Sequence, residues 1–436
     1  MTRAFWVWLH RWAGLAMALF LIIVGLTGSV LAFRDELDVW LNPELLTVTP
    51  RDAPLLDGFV LREKAAALYP ETQFDDVPLD IKPSRSVPFV TGPPLIADDY
   101  MAKAVVFYLD PYTGEKLGER NSWSGPSLAH KDIISFLYRL HFALALPWST
   151  GELGATILGI TAFVWTIDCF VGFYLTFPLR WRVNGDAPPG AKSWWSRWKP
   201  AWLIKLNAGA YRINFDIHRA FGLWTWLMLF IFAWSSVGFN LSQVYKPVMQ
   251  TLFGLSQPMA AGLPARAEPL DHPRLGWREA YATGHALLGE QARQHGFVIE
   301  KEKYLNFDRD QGVYVISAQS SLDGEKSFRT SVTFDADTGA MLQAAWPGST
   351  SEPAGDVLTR WLYWLHLAAV FGLPMQIFVC IMGFVITALS VTGVYIWWKK
   401  RRARRFSNER RGAAAGAGIH QPPGLGGGGL VAGRDS

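Results

Sequence analysis

The sequence predicts a membrane α-helical protein, a four-span bundle built from two duplicated halves, each carrying a small α+β module outside the membrane. Three observations predict this. Half of the 436 residues are hydrophobic and only 18% are charged, a balance too apolar in blocks for an ordinary soluble domain. Four stretches, about 12–33, 153–178, 221–242 and 372–398, reach the roughly 20 mostly apolar residues that a bilayer crossing demands. The motifs that open or precede these stretches occur twice, which makes internal repetition the organising fact.

Charge placement sets the expected topology. The net charge is only +4, but basic residues crowd the 180–212 connection (Arg180, Arg182, Lys192, Arg197, Lys199, Lys205, Arg212) and the segment Lys399–Arg405. The positive-inside rule puts both on the cytoplasmic side. With four spans and Arg3 and Arg11 at the front, both termini then lie inside. The lipid bilayer is the expected partner, and nucleic acid is not. A cleaved signal peptide is set aside for the first span, because its apolar run is longer than a signal core and a matching span recurs. Cys169 and Cys380 fall inside predicted spans, where packing is their expected role.

In chain order, residues 1–34 hold span one and 35–136 form the first outer module. A helix is expected near Val60–Leu68, then strands ending in Ala104–Leu109 and a turn at Asp110-Pro111-Tyr112-Thr113-Gly114, with Pro and Gly at the positions a tight turn favours. Residues 137–180 carry a short helix and span two, and 181–214 form the inner connection. There Trp194, Trp195, Trp198 and Trp202 read as an amphipathic segment on the membrane surface. Residues 215–242 hold span three and 243–361 the second outer module. That module has a helix candidate at Gly276–Gln294 and a matching hairpin, Asp335-Ala336-Asp337-Thr338-Gly339. Residues 362–400 hold a second short helix and span four, and 401–436, rich in Gly and Ala toward the end, read as a disordered tail in which His420 is incidental.

Four of the nine histidines occupy the repeated positions. His10-Arg11-Trp12-Ala13-Gly14-Leu15 opens span one, and His218-Arg219-Ala220-Phe221-Gly222-Leu223 opens span three. Leu137-Tyr138-Arg139-Leu140-His141 and Leu362-Tyr363-Trp364-Leu365-His366 precede spans two and four. The topology sorts them by depth, His10 and His218 near the cytoplasmic face, His141 and His366 near the outer face. Ionisable residues at membrane depth are costly and usually functional. Two imidazoles facing each other across an apolar bundle are what a six-coordinate haem iron needs. Gly14 and Gly222 lie one helical turn beyond His10 and His218, where a missing side chain leaves room for a porphyrin edge. Ala145 and the larger Val370 take the corresponding places after His141 and His366. Arg11 and Arg219 can meet propionates. Zinc is a weaker competitor, since it wants three or four ligands at one point. A lone interfacial histidine is more often a satisfied hydrogen-bonding residue; two matched pairs are what lift the ligand reading above that. His130, His272, His285 and His295 have no repeat partners and read as surface residues, although His130 precedes His141 closely enough to approach the outer site. Asp168 in span two reads either as a proton-handling carboxylate or as an interhelical hydrogen bond, for example to a Ser or Thr.

These motifs, LHRWAGLAMALFLIIVGLTG at 9–28, IHRAFGLWTWLMLF at 217–230, LYRLHF, LYWLHL and the DPYTGE and DADTGA hairpins, resemble the PepSY-associated transmembrane family over roughly residues 3–400. This family of bacterial inner-membrane proteins includes iron-regulated members and ferric-siderophore reductases. The resemblance implies two periplasmic PepSY-like modules and two haem b groups stacked across the membrane. Carried over by position, His10 and His218 are then the axial ligands of the inner iron, and His141 and His366 those of the outer one. Ala220 in place of Trp12, and no Leu-Thr-Gly in span three, make the two pockets inequivalent. The implied activity is a haem-dependent ferric-siderophore reductase, passing electrons from a cytoplasmic donor to a periplasmic ferric-siderophore complex. No catalytic residue beyond the haem ligands is needed. No nucleotide-binding glycine loop stands out for a donor. Two other classes stay open. One is a non-enzymatic regulator, since PepSY modules elsewhere resemble protease propeptides, and the other is a siderophore-uptake accessory or permease.

Overall fold

The computed structural model describes residues 2–91, 105–120, 127–147, 150, 152–179, 192–255, 266–323, 329–348 and 353–417, with the backbone alone for 408–417. The start of the strand expected at Ala104, Arg180, Arg182 and His420 lie outside the described residues. The chain opens with α1 (Arg3–Leu31), followed by short helices α2 (Arg34–Leu41) and α3 (Pro43–Leu46). Then come α4 (Gly58–Leu68), capped by the Asp57 side chain accepting from the Val60 amide, and strands β1 (Asp76–Pro78), β2 (Val87–Thr91), β3 (Val105–Leu109) and β4 (Lys116–Arg120). Helices α5 (Ile133–Ala143) and α6 (Leu153–Thr176) lead back through the bundle, and α7 (Trp194–Trp198) sits in the connection beyond. There Trp198 is buried against Phe173 and Phe177, while Trp194 and Trp195 are exposed.

The second half repeats this order of elements. Helices α8 (Ala210–Trp224), α9 (Trp226–Asn240) and α10 (Ser242–Phe253) are followed by α11 (Trp277–His295). Strands β5 (Ile299–Asp308), β6 (Val313–Ser320), β7 (Thr330–Asp335) and β8 (Met341–Ala345) come next, then α12 (Ala354–His366) and α13 (Gly372–Ala417). The last helix runs past residue 401, further than the disordered tail expected from the sequence.

Three helices, Arg3–Leu31, Leu153–Thr176 and Gly372–Ser407, are long and apolar enough to cross a bilayer, and the pair α8 and α9 makes up to four if it counts as one span. That pair is bent by 71° at Thr225, whereas the sequence predicts an unbroken third span. The physical reason is local: α8 is amphipathic, burying Asp216, Ala220 and Leu223, so only its continuation α9 is apolar all round. The most extensive helix packing joins α1 to α13. A Cβ on Gly25 would stand 2.7 Å from the Gly383 carbonyl oxygen, and the Ser29 hydroxyl donates to the Cys380 carbonyl at 2.9 Å. Small residues that let backbones touch are the usual device for helix association in lipid. Both cysteines are free thiols, and Cys169 packs in the bundle core with Met17 and Met228.

The sheets join the two outer segments. β2, β3 and β4 form one antiparallel sheet, but β1 leaves the first segment and pairs with β5, making a five-stranded sheet in the order β1-β5-β6-β7-β8. Charges hold this exchange. Arg309 donates to both Asp75 oxygens at 2.7–2.9 Å and to Asp271, Lys303 pairs with Asp80 at 2.7 Å, and Arg278 pairs with the cap Asp57 at 3.0 Å. The hairpins share one turn chemistry. Asp110 accepts from the Tyr112 and Thr113 amides and Asp335 from those of Asp337 and Thr338, with Gly114 and Gly339 at φ +70° and +72°. Arg309→Met is expected to weaken the β1–β5 seam by about 1–2 kcal/mol, because the pair is mostly shielded but not fully buried. Faster amide exchange at Asp75, Asp76 and Val77 than in β7 is the readout.

Candidate cofactor site

The four repeated histidines come together in two pairs, each drawing one ring from either half of the chain. The His10 and His218 rings have centroids 6.1 Å apart, and those of His141 and His366 are 6.4 Å apart. An imidazole nitrogen binds a first-row metal ion at about 2.0 Å and its ring centre lies roughly 1.1 Å further out, so two imidazoles on opposite sides of one ion have centres about 6.2 Å apart. Both pairs stand at that spacing. His141 packs on Gly28 of α1, so the pairs are separated by the stretch from position 10 to position 28, about 27 Å of helix. Among the described residues no three His, Cys, Asp or Glu side chains converge as a metal site.

Each ring is held by Nδ1. The His10 Nδ1 meets both carboxylate oxygens of Asp168, at 2.9 and 3.0 Å. Thr27 Oγ1 stands 3.0 Å from the His141 Nδ1, Ser235 Oγ 2.6 Å from that of His366, and Thr392 Oγ1 3.1 Å from that of His218, where the Leu389 carbonyl lies at 3.0 Å. All three hydroxyls donate one turn back along their own helices, Thr27 to Ile23, Ser235 to Ile231 and Thr392 to Ala388. Their oxygens therefore accept from the imidazole. That assigns the proton to Nδ1 in every ring and the lone pair to Nε2, the tautomer a metal-binding histidine uses when its other nitrogen is tied down.

Glycines set the rings' places. A Cβ at Gly28 would come within 3.0 Å of the His141 Cε1, one at Gly393 within 3.3 Å of the His218 Cε1, and one at Gly172 within 3.5 Å of the His10 Cε1. Thr27-Gly28 and Thr392-Gly393 thus act as units, the hydroxyl holding the ring that the glycine admits. Asp168 on α6 holds His10, and Gly172, one turn on, leaves the ring at ordinary contact distance.

Between α1, α6, α8 and α13, beside His10 and His218, lies a cavity of about 460 Å³. Gly14 and Gly222 line it, and a Cβ on either would meet nothing within 4 Å. Met17, Leu21 and Leu229 give it apolar walls. Arg3, Arg11, Arg219 and Lys400 are its basic residues, and Asp168 is the one carboxylate among the described residues lining it. A flat, largely apolar macrocycle with acidic substituents fits this lining: two paired imidazoles, two bare helix edges and cations. Arg219 also has partners of its own. It is already held by the fully buried Asp216 at 2.9 Å, which also pairs with Arg212, and by the Pro200 carbonyl. Arg11 carries no such partner among the described residues.

At the other pair, Phe232 and Phe239 stand edge-on to His366, and Tyr363 of the Tyr-x-Leu-His motif stacks on Phe239 at 4.2 Å. The Tyr138 ring of the first motif lies under the Arg34 guanidinium at 4.5 Å. Both motif tyrosines therefore anchor their helices. Ala145 and Val370 do not lie one turn beyond their histidines, because α5 ends at Ala143 and α12 at His366. Leu144, Ala145, Ala368 and Phe371 instead take positive φ, a conformation costly for side chains with a Cβ. His130, His272, His285 and His295 are all exposed; His285 bonds Glu302 and His295 stacks on Trp346.

Helices long and apolar enough to cross a bilayer, with histidines paired between them, mark a membrane protein. The family model described as PepSY-associated TM region matches residues 7–400, and the chain belongs to that family. No curated protein matches it.

Proposed function

We propose that this chain is a two-haem oxidoreductase that carries electrons across the bacterial inner membrane and reduces a ferric-siderophore complex at its sheet-bearing, periplasmic end. His10 and His218 would bind one haem b, and His141 and His366 the other. The observation that carries the reading is the pair of ring spacings together with a polar partner at every Nδ1, an arrangement that suits coordination through Nε2. Haem iron, when bound, supplies reversible one-electron chemistry that no protein side chain here offers. Everything else falls to the chain's own residues. Gly14 and Gly222 leave the helix edges bare, Arg11, Arg3 and Lys400 neutralise propionates, and the hydroxyls and carboxylate at Nδ1 fix ring orientation. The basic residues near the His10 end favour a cytoplasmic location for it and for both termini, and hence a cytoplasmic electron donor.

Fe(III) is held by the hard oxygen donors of a siderophore more tightly than Fe(II), so adding one electron to the complex loosens the metal. The two halves are read as a duplication, each contributing one histidine to each site. The test is anaerobic. Full-length protein reduced with dithionite and freed of excess is mixed with a ferric hydroxamate chelate in the presence of a ferrous-iron trap. The expected result is loss of the sharp α-band and about two trapped Fe(II) per chain, one from each site. A colourless preparation would instead favour a regulatory role for the sheets.

A further inference from the structure

The four Nδ1 partners are not equivalent. Three are neutral acceptors, the Thr27 and Ser235 hydroxyls and the Leu389 carbonyl with the Thr392 hydroxyl. The fourth is a carboxylate, Asp168, whose side chain is 10% exposed and which has no other hydrogen bond among the described residues. Its two oxygens flank one N–H, and the cavity's cations lie on the same end of the bundle. A carboxylate that accepts from a ligating imidazole draws the proton toward itself and makes Nε2 a stronger donor, which stabilises the more positive oxidation state of a bound metal. A hydroxyl whose own proton is committed to a backbone carbonyl does this much less.

Resting on the two-haem reading above, we infer that Asp168 is a potential-setting, positioning residue. It holds the iron between His10 and His218 at a lower reduction potential than the iron between His141 and His366, which gives the chain a built-in direction. One electron passing from the first iron to the second oxidises Fe(II) to Fe(III) at the His10 end and reduces Fe(III) to Fe(II) at the other. The imidazole proton stays between His10 and Asp168, so no proton crosses the bundle with it. The alternative roles open to an intramembrane carboxylate, a proton relay or a bond to a helix hydroxyl, find no second hydrogen-bonding partner among the described residues: both oxygens face the His10 ring.

Spectroelectrochemical titration of the full-length protein tests this. Wild-type protein is expected to show two one-electron steps. Asp168→Asn is expected to raise only the lower step, by at least the equivalent of a tenfold change in the oxidised-to-reduced ratio, about 59 mV for one electron. Asp168→Glu is expected to restore much of the difference. Movement of the upper step, or of neither, overturns the proposal. Where Asp168→Asn loses haem, single-site proteins decide: His141→Ala, keeping the His10 site, must titrate below His10→Ala, keeping the His141 site, and the reverse order overturns the proposal. A wild-type protein that binds no haem defeats the two-haem reading itself, a result distinct from loaded protein with unshifted steps.

Discussion

Replacing His366 with Ala is expected to leave about half of the bound haem, with the remaining half spectroscopically unchanged, because a bis-histidine iron loses an axial ligand at one end of the bundle only. His141→Ala gives the same result, and His10→Ala or His218→Ala the converse, removing the other component of the α-band. The selectivity follows from the roughly 27 Å of α1 between the pairs and from separate partners among the described residues: Thr27 and Ser235 serve one pair, Asp168, Leu389 and Thr392 the other. Haem content and reduced-minus-oxidised spectra of the four purified variants read it. A single variant that loses no haem refutes its residue as a ligand, and one that loses both shows that the pairs are coupled through the fold.

Gly383→Leu is expected to damage both histidine pairs at once. A Cβ there would stand 2.2 Å from the Ser29 hydroxyl oxygen and 2.4 Å from the Gly25 carbonyl oxygen, so α1 and α13 must separate. Both helices hold rings, α1 bearing His10 and binding His141 through Thr27, α13 binding His218 through Leu389 and Thr392. The cost is about 3 kcal/mol or more, at the upper end for overpacking a close contact, with loss of haem from both sites. Gly14→Leu is the contrasting case. Nothing lies within 4 Å of its Cβ, so the bundle should keep its thermal stability in detergent while the side chain fills the cavity and lowers haem content at the His10 site alone.

The apolar spans and the four special histidines are legible in the sequence because each depends on local pattern: a run of twenty apolar residues, or a motif met twice. The hairpin turns are legible for the same reason, since Asp, Thr and Gly act within five residues of one another. What sequence reading misses is non-local. Asp168 can be singled out as a carboxylate in a span, but its partner lies 158 residues away, and a Ser or Thr was an equally reasonable expectation. Thr27, Ser235 and Thr392 carry no signal as isolated residues. Of the seven Thr-Gly pairs in the chain, those at 27–28 and 392–393 are the two that fall inside predicted spans, and that placement becomes interpretable once each glycine is seen against a histidine ring. Strand β1 could not be assigned to the other segment's sheet from its three residues, because antiparallel pairing has no sequence code beyond alternation and charge. The bend at Thr225 follows from the polar face of α8 around Asp216, which a hydropathy window averages away.

The most direct measurement is the haem-to-protein ratio of the purified full-length chain, determined from the pyridine haemochrome and an independent amino-acid analysis. Ligation at both histidine pairs predicts two haems b per chain with a low-spin spectrum; a ratio of zero, or of one that survives loss of either pair, would contradict it.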